Sequence, residues 1–316
     1  MSDVRTGLTC GIDVGGTKIA GAVVDEHGTV LEHQRVESPA SDAEAVEDAI
    51  AELVIELGSR HDLTAVGIGA AGYVDAKRSV VMFAPNIAWR DVDLRSEIQA
   101  RVDLPVVIEN DANAAAWGEF VFGAAADVDD MLMVTVGTGV GGGIVSGGQL
   151  FRGGFGAAAE IGHLRVVPQG RLCGCGNHGC LEQYASGSAL VKQTRARAAA
   201  PGATALLASA GGDVDAIDGP MITAAAAAGD PFALEQVTEL ATWLGEALAS
   251  LAAVLDPGMV VIGGGVSETG ELLLEPVRAA FASELSGRGH RPMLEIRTAS
   301  LGNQAGVIGA ADLARR

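Results

Sequence analysis

Positive charge is what this 316-residue sequence has least of. Lys and Arg total 21 against 40 Asp and Glu, for a net charge of −19. So acidic a chain disfavours nucleic acid or an acidic membrane as its main partner. An anionic ligand can still bind where backbone N–H groups and a metal offset the global field. The opening residues, MSDVRTGLTCGIDVGGTK, lack an apolar stretch followed by a small-residue cleavage site, so no signal peptide is expected. No apolar run reaches the length of a membrane span before charge or glycine interrupts it. The 44 glycines lack the period of collagen, so the excess belongs in tight turns and close backbone approaches to ligands. With 48% hydrophobic and 19% charged residues, a substantial core is expected and disorder is not. The length suits two domains or one large one.

Cysteine is also scarce, at four residues, but three of them crowd together. Cys173, Cys175 and Cys180 lie within eight residues, ten after His163, and Glu160 and Glu182 bracket the group. Thiolates and an imidazole in a Gly-rich loop suit a tetrahedral metal, zinc being the usual occupant. Four protein ligands would fill its coordination sphere and make the site structural rather than catalytic. The alternative is unconnected thiols or a disulfide, but Cys-x-Cys is too short for an easy bridge and three cysteines leave one unpaired. Spacing alone leaves His163 and His178 competing for the fourth position. A thiol cluster without an export signal points to a reduced, cytoplasmic protein.

Along the chain, Leu8–Val14, Ile19–Val24 and Thr29–Val36 read as a β-meander whose first turn is Gly15-Gly16-Thr17-Lys18. Its amides and the Thr17 hydroxyl can cradle a phosphate. A plain hairpin is the simpler account of that turn taken alone. It is neither a P-loop nor a dinucleotide fingerprint, since the Lys precedes Ile and a strand follows. Ser41–Leu57 is predicted helical, with Ser41 as its cap. Ala65–Gly72 and Ser79–Phe83 are predicted strands, and Leu94–Val102 a helix. Strand Pro105–Glu109 leads through Asn110, Asp111 and Ala112-Asn113 into helix Ala114–Phe122. Asn-Asp at a strand's carboxyl end is either a ligand site or only a helix cap. Asp130–Thr135, the turn Val136–Gly143 and strand Ile144-Val145 repeat the opening pattern about 120 residues on, which suggests two related α/β halves. Helices are expected over Gly187–Ala200, Met221–Ala228, Pro231–Leu255, Glu271–Leu285 and Gln304–Ala314, with a connector over Gly202–Gly219. Met259–Ile262 and Leu294–Thr298 are expected strands, the first ending in Gly263-Gly264-Gly265. The Pro231–Leu255 stripe is core by default.

Five motifs in order, Asp13 to Lys18, Glu109-Asn110-Asp111, Gly137-Thr138-Gly139, Glu160-Ile161-Gly162-His163 with the cysteine loop to Glu182, and Gly263 to Gly265, make the chain resemble the ROK (repressor, open reading frame, kinase) sugar kinases over nearly its full length. Within that family it is most similar to the glucokinases. The resemblance implies an α/β fold of two ribonuclease-H-like, actin/hexokinase-type domains around a central cleft. It places an N-terminal domain at 1–116, a C-terminal domain at 117–302 with zinc loop 163–180, and a final helix, 303–316, packed back on the first.

By the same resemblance Asp111 is the general base. Asp13 stands near the Mg²⁺ of Mg–ATP. Gly15, Gly16, Thr17, Lys18, Gly137, Thr138 and Gly139 hold phosphate, and Gly263, Gly264 and Gly265 hold adenosine. Asn86, Asn110, Asp111, Gly139, Glu160, His163 and Glu182 meet the sugar. The resemblance also makes His163 the fourth zinc ligand beside Cys173, Cys175 and Cys180. One ring nitrogen then faces the metal and the other a sugar hydroxyl. The implied reaction is ATP-dependent phosphorylation of the glucose 6-hydroxyl, with N-acetylmannosamine, N-acetylglucosamine or fructose as other acceptors and polyphosphate as another donor. Homodimers or homotetramers are common in the family. ROK repressors carry a DNA-binding domain ahead of the first phosphate motif, and the twelve residues before Asp13 are too few for one.

Overall fold

The structure, a computed structural model, describes residues 6–316; Met1–Arg5, the start of the expected first domain, lie outside the described residues. Contacts divide the chain into two compact units. One comprises Met1–Leu132, Gly143–Ala159 and Ser300–Arg316; the other comprises Met133–Gly142 and Glu160–Ala299. Residues 117–132 and 143–159, expected in the C-terminal domain, therefore cluster with the first unit.

The first unit is built on a five-stranded sheet. Strands β1 (Leu8–Val14), β2 (Lys18–Val24) and β3 (Val30–Glu37) form the antiparallel meander expected from the sequence. Helix α1 (Ala43–Gly58) leads to β4 (Leu63–Ala70), which pairs parallel with β1. Ser41 does not cap α1; the Asp42 carboxylate accepts from the Ala45 amide at 3.3 Å. A small antiparallel sheet of β5 (Tyr73–Val74), β6 (Val81–Phe83) and β7 (Arg90–Val92) precedes α2 (Leu94–Val102). Strand β8 (Val106–Asn110) then pairs parallel with β4 and runs straight into α3 (Asp111–Phe122). The order is β3-β2-β1-β4-β8. Alternating residues of β1, β4 and β8 bury Ile12, Ile68 and Ile108 against α1 and α2 in one core.

Helix α10 (Ala305–Leu313) covers the other face, packing on α3, β1, β4 and β2. Gly11 and Gly67 face it, and a Cβ at either would collide with the backbone carbonyl of Val307 or Ala310. The helix thus lies directly on bare strand. Buried Glu119 of α3 anchors its approach by accepting from the amides of Ser300 (3.0 Å) and Leu301 (2.7 Å).

The second sheet contains β9 (Met131–Val136), β10 (Val140–Ser146), β11 (Gln149–Leu150), β12 (Met259–Gly263) and β13 (Glu295–Thr298). Its order, β11-β10-β9-β12-β13, repeats that of the first sheet: third, second, first, fourth, fifth. Gly141, Gly142 and Gly143, read as turn, lie inside β10. The helices are α4 (Glu182–Ala185), α5 (Gly187–Arg197), α6 (Thr204–Ser209), α7 (Gly219–Ala227), α8 (Pro231–Leu255) and α9 (Glu271–Glu284). Helix α6 occupies part of the segment expected to be a plain connector. By length and composition α8 is long and apolar enough to cross a membrane, contrary to the expectation for every apolar run, but half of its apolar window is buried in the protein. It packs on α9 and α7.

Candidate functional site

In the first unit the end of β8 meets the start of α3. Asn110 is the N-cap: its Oδ1 accepts from the Asn113 amide at 3.0 Å, which satisfies one of the free donors of the first turn. Its Nδ2 donates to the Gly72 carbonyl and to Asp111 Oδ1, each at 3.1 Å. Asp111 thus stands at the first helical position, where the helix dipole favours a carboxylate. The cap account of Asn-Asp holds for Asn110, and the cap orients Asp111.

Asp13, on β1, lies beside the first turn of α10; a Cβ on Gly306 would be 3.3 Å from its carboxylate. Desolvation raises Asp13 to about 6, with Arg35 opposing that rise. The turn after β1 is closed by the Gly15 amide donating to the Lys18 carbonyl at 3.0 Å. A Cβ on Gly16 would press on Asn86, at 2.9 Å from its Cβ and 3.1 Å from its carbonyl oxygen. Gly16 therefore lets this turn lie against Asn86, and Thr17 and Lys18 are exposed beside it.

In the second unit a cavity of about 1130 Å³ is lined by Gly137, Thr138, Gly187, Ser188, Gly265 and Val266, among others. The Gly187 amide at the start of α5 donates to the Gly137 carbonyl at 2.7 Å, joining the helix N-terminus to the Gly-Thr-Gly turn. Of Gly263, which ends β12, and the two glycines after it, only Gly265 reaches the cavity wall. Gly264, at φ +86°, is instead pressed against the Val136 backbone, and a side chain at Gly263 would meet Met133 and Ala299. Lys192 and Arg195 of α5 and Thr223 of α7 also line the cavity. Sequence reasoning missed them because neither helix carries a motif.

Glu182 begins α4. Its Oε2 accepts from the Val140 amide at 3.4 Å, and a side chain on Gly139 would strike the same oxygen. Bare backbone at Gly139 is what lets this carboxylate approach the turn. Glu160 lies three residues before His163, whose Nε2 is 4.0 Å from Glu160 Oε2.

The other imidazole nitrogen, Nδ1, faces the cysteines, 3.7 Å from Cys173 Sγ. The ligand atoms of His163, Cys173, Cys175 and Cys180 all lie within 4.8 Å of one another. Cys175 and Cys180 have their sulfurs 3.7 Å apart, and all four cysteines of the chain are free thiols. A disulfide requires about 2.05 Å. With Zn–S bonds of about 2.3 Å, a tetrahedral angle puts two sulfurs about 3.8 Å apart. The cluster therefore has the edge of a zinc tetrahedron, not that of a bridge, and its donor set fits that metal. His178 is exposed and outside the group, although its backbone bridges to Leu172 within the loop. Arg171 braces the loop: its guanidinium stacks over Tyr184 at 4.7 Å and donates to the Gln183 carbonyl at 2.7 Å.

One conspicuous group was singled out by sequence only as part of a motif. Glu109, 1% exposed at the end of β8, is ringed by Arg152 and Arg78. Neither arginine is near it in sequence, so no local pattern signals the pairing.

The ROK family model matches residues 9–316. A glucokinase from Streptomyces coelicolor is 52% identical over 98% of each chain. The crystal structure of a ROK family glucokinase from Streptomyces griseus, in complex with glucose and AMPPNP, superposes with a TM-score of 0.89 at 54% identity, covering 98% of this chain and 99% of that one. A ROK hexokinase from Thermus thermophilus gives a TM-score of 0.79 at 36% identity, with 97% of each chain covered.

Proposed function

Because the chain belongs to the ROK family, we propose that it is a sugar kinase that transfers the γ-phosphoryl group of ATP to the 6-hydroxyl of glucose. The observation that carries this reading is the placement of Asp111. A carboxylate held by a cap at the end of a parallel strand is where an α/β enzyme positions a group on a ligand. The likeness to the Streptomyces griseus glucokinase supplies the choice of sugar and donor.

A sugar hydroxyl is a poor nucleophile. Asp111, as general base, accepts its hydrogen bond and then its proton as the bond to the γ-phosphorus forms and the bond from that phosphorus to the β–γ bridging oxygen breaks, releasing ADP. Asn86, Asn110, Glu160, His163 and Glu182 are the proposed partners of the remaining hydroxyls, each of which needs a donor and an acceptor. Backbone amides of Gly15–Lys18 and Gly137–Gly139 take the phosphates, and the cavity beside Gly265 takes adenosine. Mg²⁺ bound with ATP supplies neutralisation of the phosphate oxygens. Asp13 is the carboxylate proposed to hold its waters. A zinc ion on His163 and the three cysteines does no chemistry in this scheme. Bound there, it would fix the loop, and so the direction of His163 Nε2.

The test is a panel of hexoses and N-acetylhexosamines with Mg–ATP or polyphosphate, reading kcat/KM for each. Glucose with ATP is expected to give the highest value. A preference for N-acetylmannosamine, N-acetylglucosamine, fructose or polyphosphate would replace the named substrate while keeping phosphoryl transfer. No turnover on any member would remove the kinase reading.

A further inference from the structure

We propose that Glu109 is a positioning residue for Asp111, an inference that rests on Asp111 being the base. Its carboxylate is enclosed, and one of its oxygens holds the start of α3. Oε1 accepts from the Asn110 amide at 3.0 Å and from Asn113 Nδ2 at 3.2 Å. It therefore grips the chain on both sides of Asp111. Asn110 in turn donates to Asp111 Oδ1 at 3.1 Å, so a line of hydrogen bonds runs from one carboxylate to the other.

Two arginines hold Glu109 in turn. Arg152 Nε lies 3.1 Å from Oε1 and 2.8 Å from Oε2, and Arg78 Nε lies 3.1 Å from Oε2. Arg152 is only 11% exposed, and its terminal nitrogens donate to the carbonyls of Ala76 (3.0 Å) and Asp75 (2.9 Å). The Arg78 carbonyl accepts from the Ile108 amide of β8 at 3.2 Å. The turn at 75–78, the end of β8, the first turn of α3 and the segment after β11 are thus locked together through one carboxylate.

Such a network is a poor way to gain stability. Desolvation offsets most of the attraction, and an apolar cluster of similar volume often does as well. What it does provide is a fixed geometry. Displacing a reacting group by about 1 Å can cost on the order of 100-fold in rate.

The experiment compares Glu109→Gln, Asp111→Asn and the double variant, reading kcat and glucose KM separately. Glu109→Gln is expected to lower kcat at least about tenfold while glucose KM changes less than about threefold. In the double variant the residual turnover is expected to equal that of Asp111→Asn alone, since Glu109 acts through Asp111. Additive losses would mean a general structural role and overturn the inference. A normal kcat for Glu109→Gln beside a disabled Asp111→Asn would overturn it too. A fully active Asp111→Asn would instead sink the underlying reading of the base. Should Glu109→Gln not fold, Arg78→Gln decides, because Arg78 is the more exposed partner and Arg152 stays in place. It is expected to lower kcat with KM kept, and an unchanged kcat would overturn the inference.

Discussion

Glu182 Oε1 lies 3.7 Å from Cys173 Sγ, while its other oxygen accepts from the Val140 amide just past the Gly-Thr-Gly turn. One carboxylate therefore touches both the cysteine cluster and the turn that borders the large cavity. Loss of the cluster's shape must be felt at Glu182 and at His163 together.

This relationship sets the expected outcome of breaking the proposed zinc site. Cys175 is the exposed member of the cluster, so Cys175→Ser changes the ligand set with little disturbance of the core. It is expected to abolish stoichiometric zinc, lower the melting temperature and raise glucose KM by about tenfold or more, with a smaller change in KM for ATP. Metal analysis and melting curves on the purified variant check the first two effects, and initial rates check the third. About one zinc retained per chain with an unchanged KM would show that the ligand set is wrong.

Replacing the proposed base separates binding from chemistry. Asp111→Asn keeps the side-chain volume and the helix start, so glucose affinity by calorimetry should stay within a few-fold. Turnover should fall by about 10²–10⁴, the usual contribution of a positioned general base. Near-normal kcat would assign the proton transfer to another group.

Asp13 predicts a pH dependence. Its folded-state value is raised to about 6 by desolvation, so the carboxylate is neutral below that pH and ionised above it. Two signs follow. The burden of the buried charge appears as pH rises through about 6, so this group makes the protein relatively more stable on the acid side. On the proposed role of Asp13 beside Mg–ATP, which needs the charge, kcat/KM for Mg–ATP should fall as pH drops through about 6, and saturating Mg²⁺ should move the midpoint lower. In Asp13→Asn this limb should vanish along with most activity. An acid limb that persists unchanged in Asp13→Asn would place it on a different residue.

How much of this could be read in the sequence depended on distance along the chain. Cys173, Cys175 and Cys180 lie within eight residues, so type and spacing pointed to a thiolate cluster that could hold a metal, while the choice of His163 over His178 came only from the family resemblance. The opening meander and its second copy were legible because period-two apolar runs were cut by glycine. The same rule failed at Gly141–Gly143, where glycine marks close packing rather than a turn: a side chain at Gly143 would strike Ala116 of α3. Ser41 and Asp42 are equally good caps on paper, and only backbone geometry chose Asp42. The Arg152–Glu109 pair, 43 residues apart, and the cavity walls from α5 and α7 exist only once the chain has folded.

The helix laid on Gly11 and Gly67 ties the birth of the protein to its final residues. Strand β1 leaves the ribosome almost 300 residues before α10 does. At about 5–20 residues per second, that is a wait of roughly 15–60 s. Through that interval α3 lies on this face against β4 and β8, while β1, the strand bearing Asp13, and β2 lack the helix that finally covers them there. The chain must shelter an open apolar surface during synthesis, and the second unit can be complete before the first is closed.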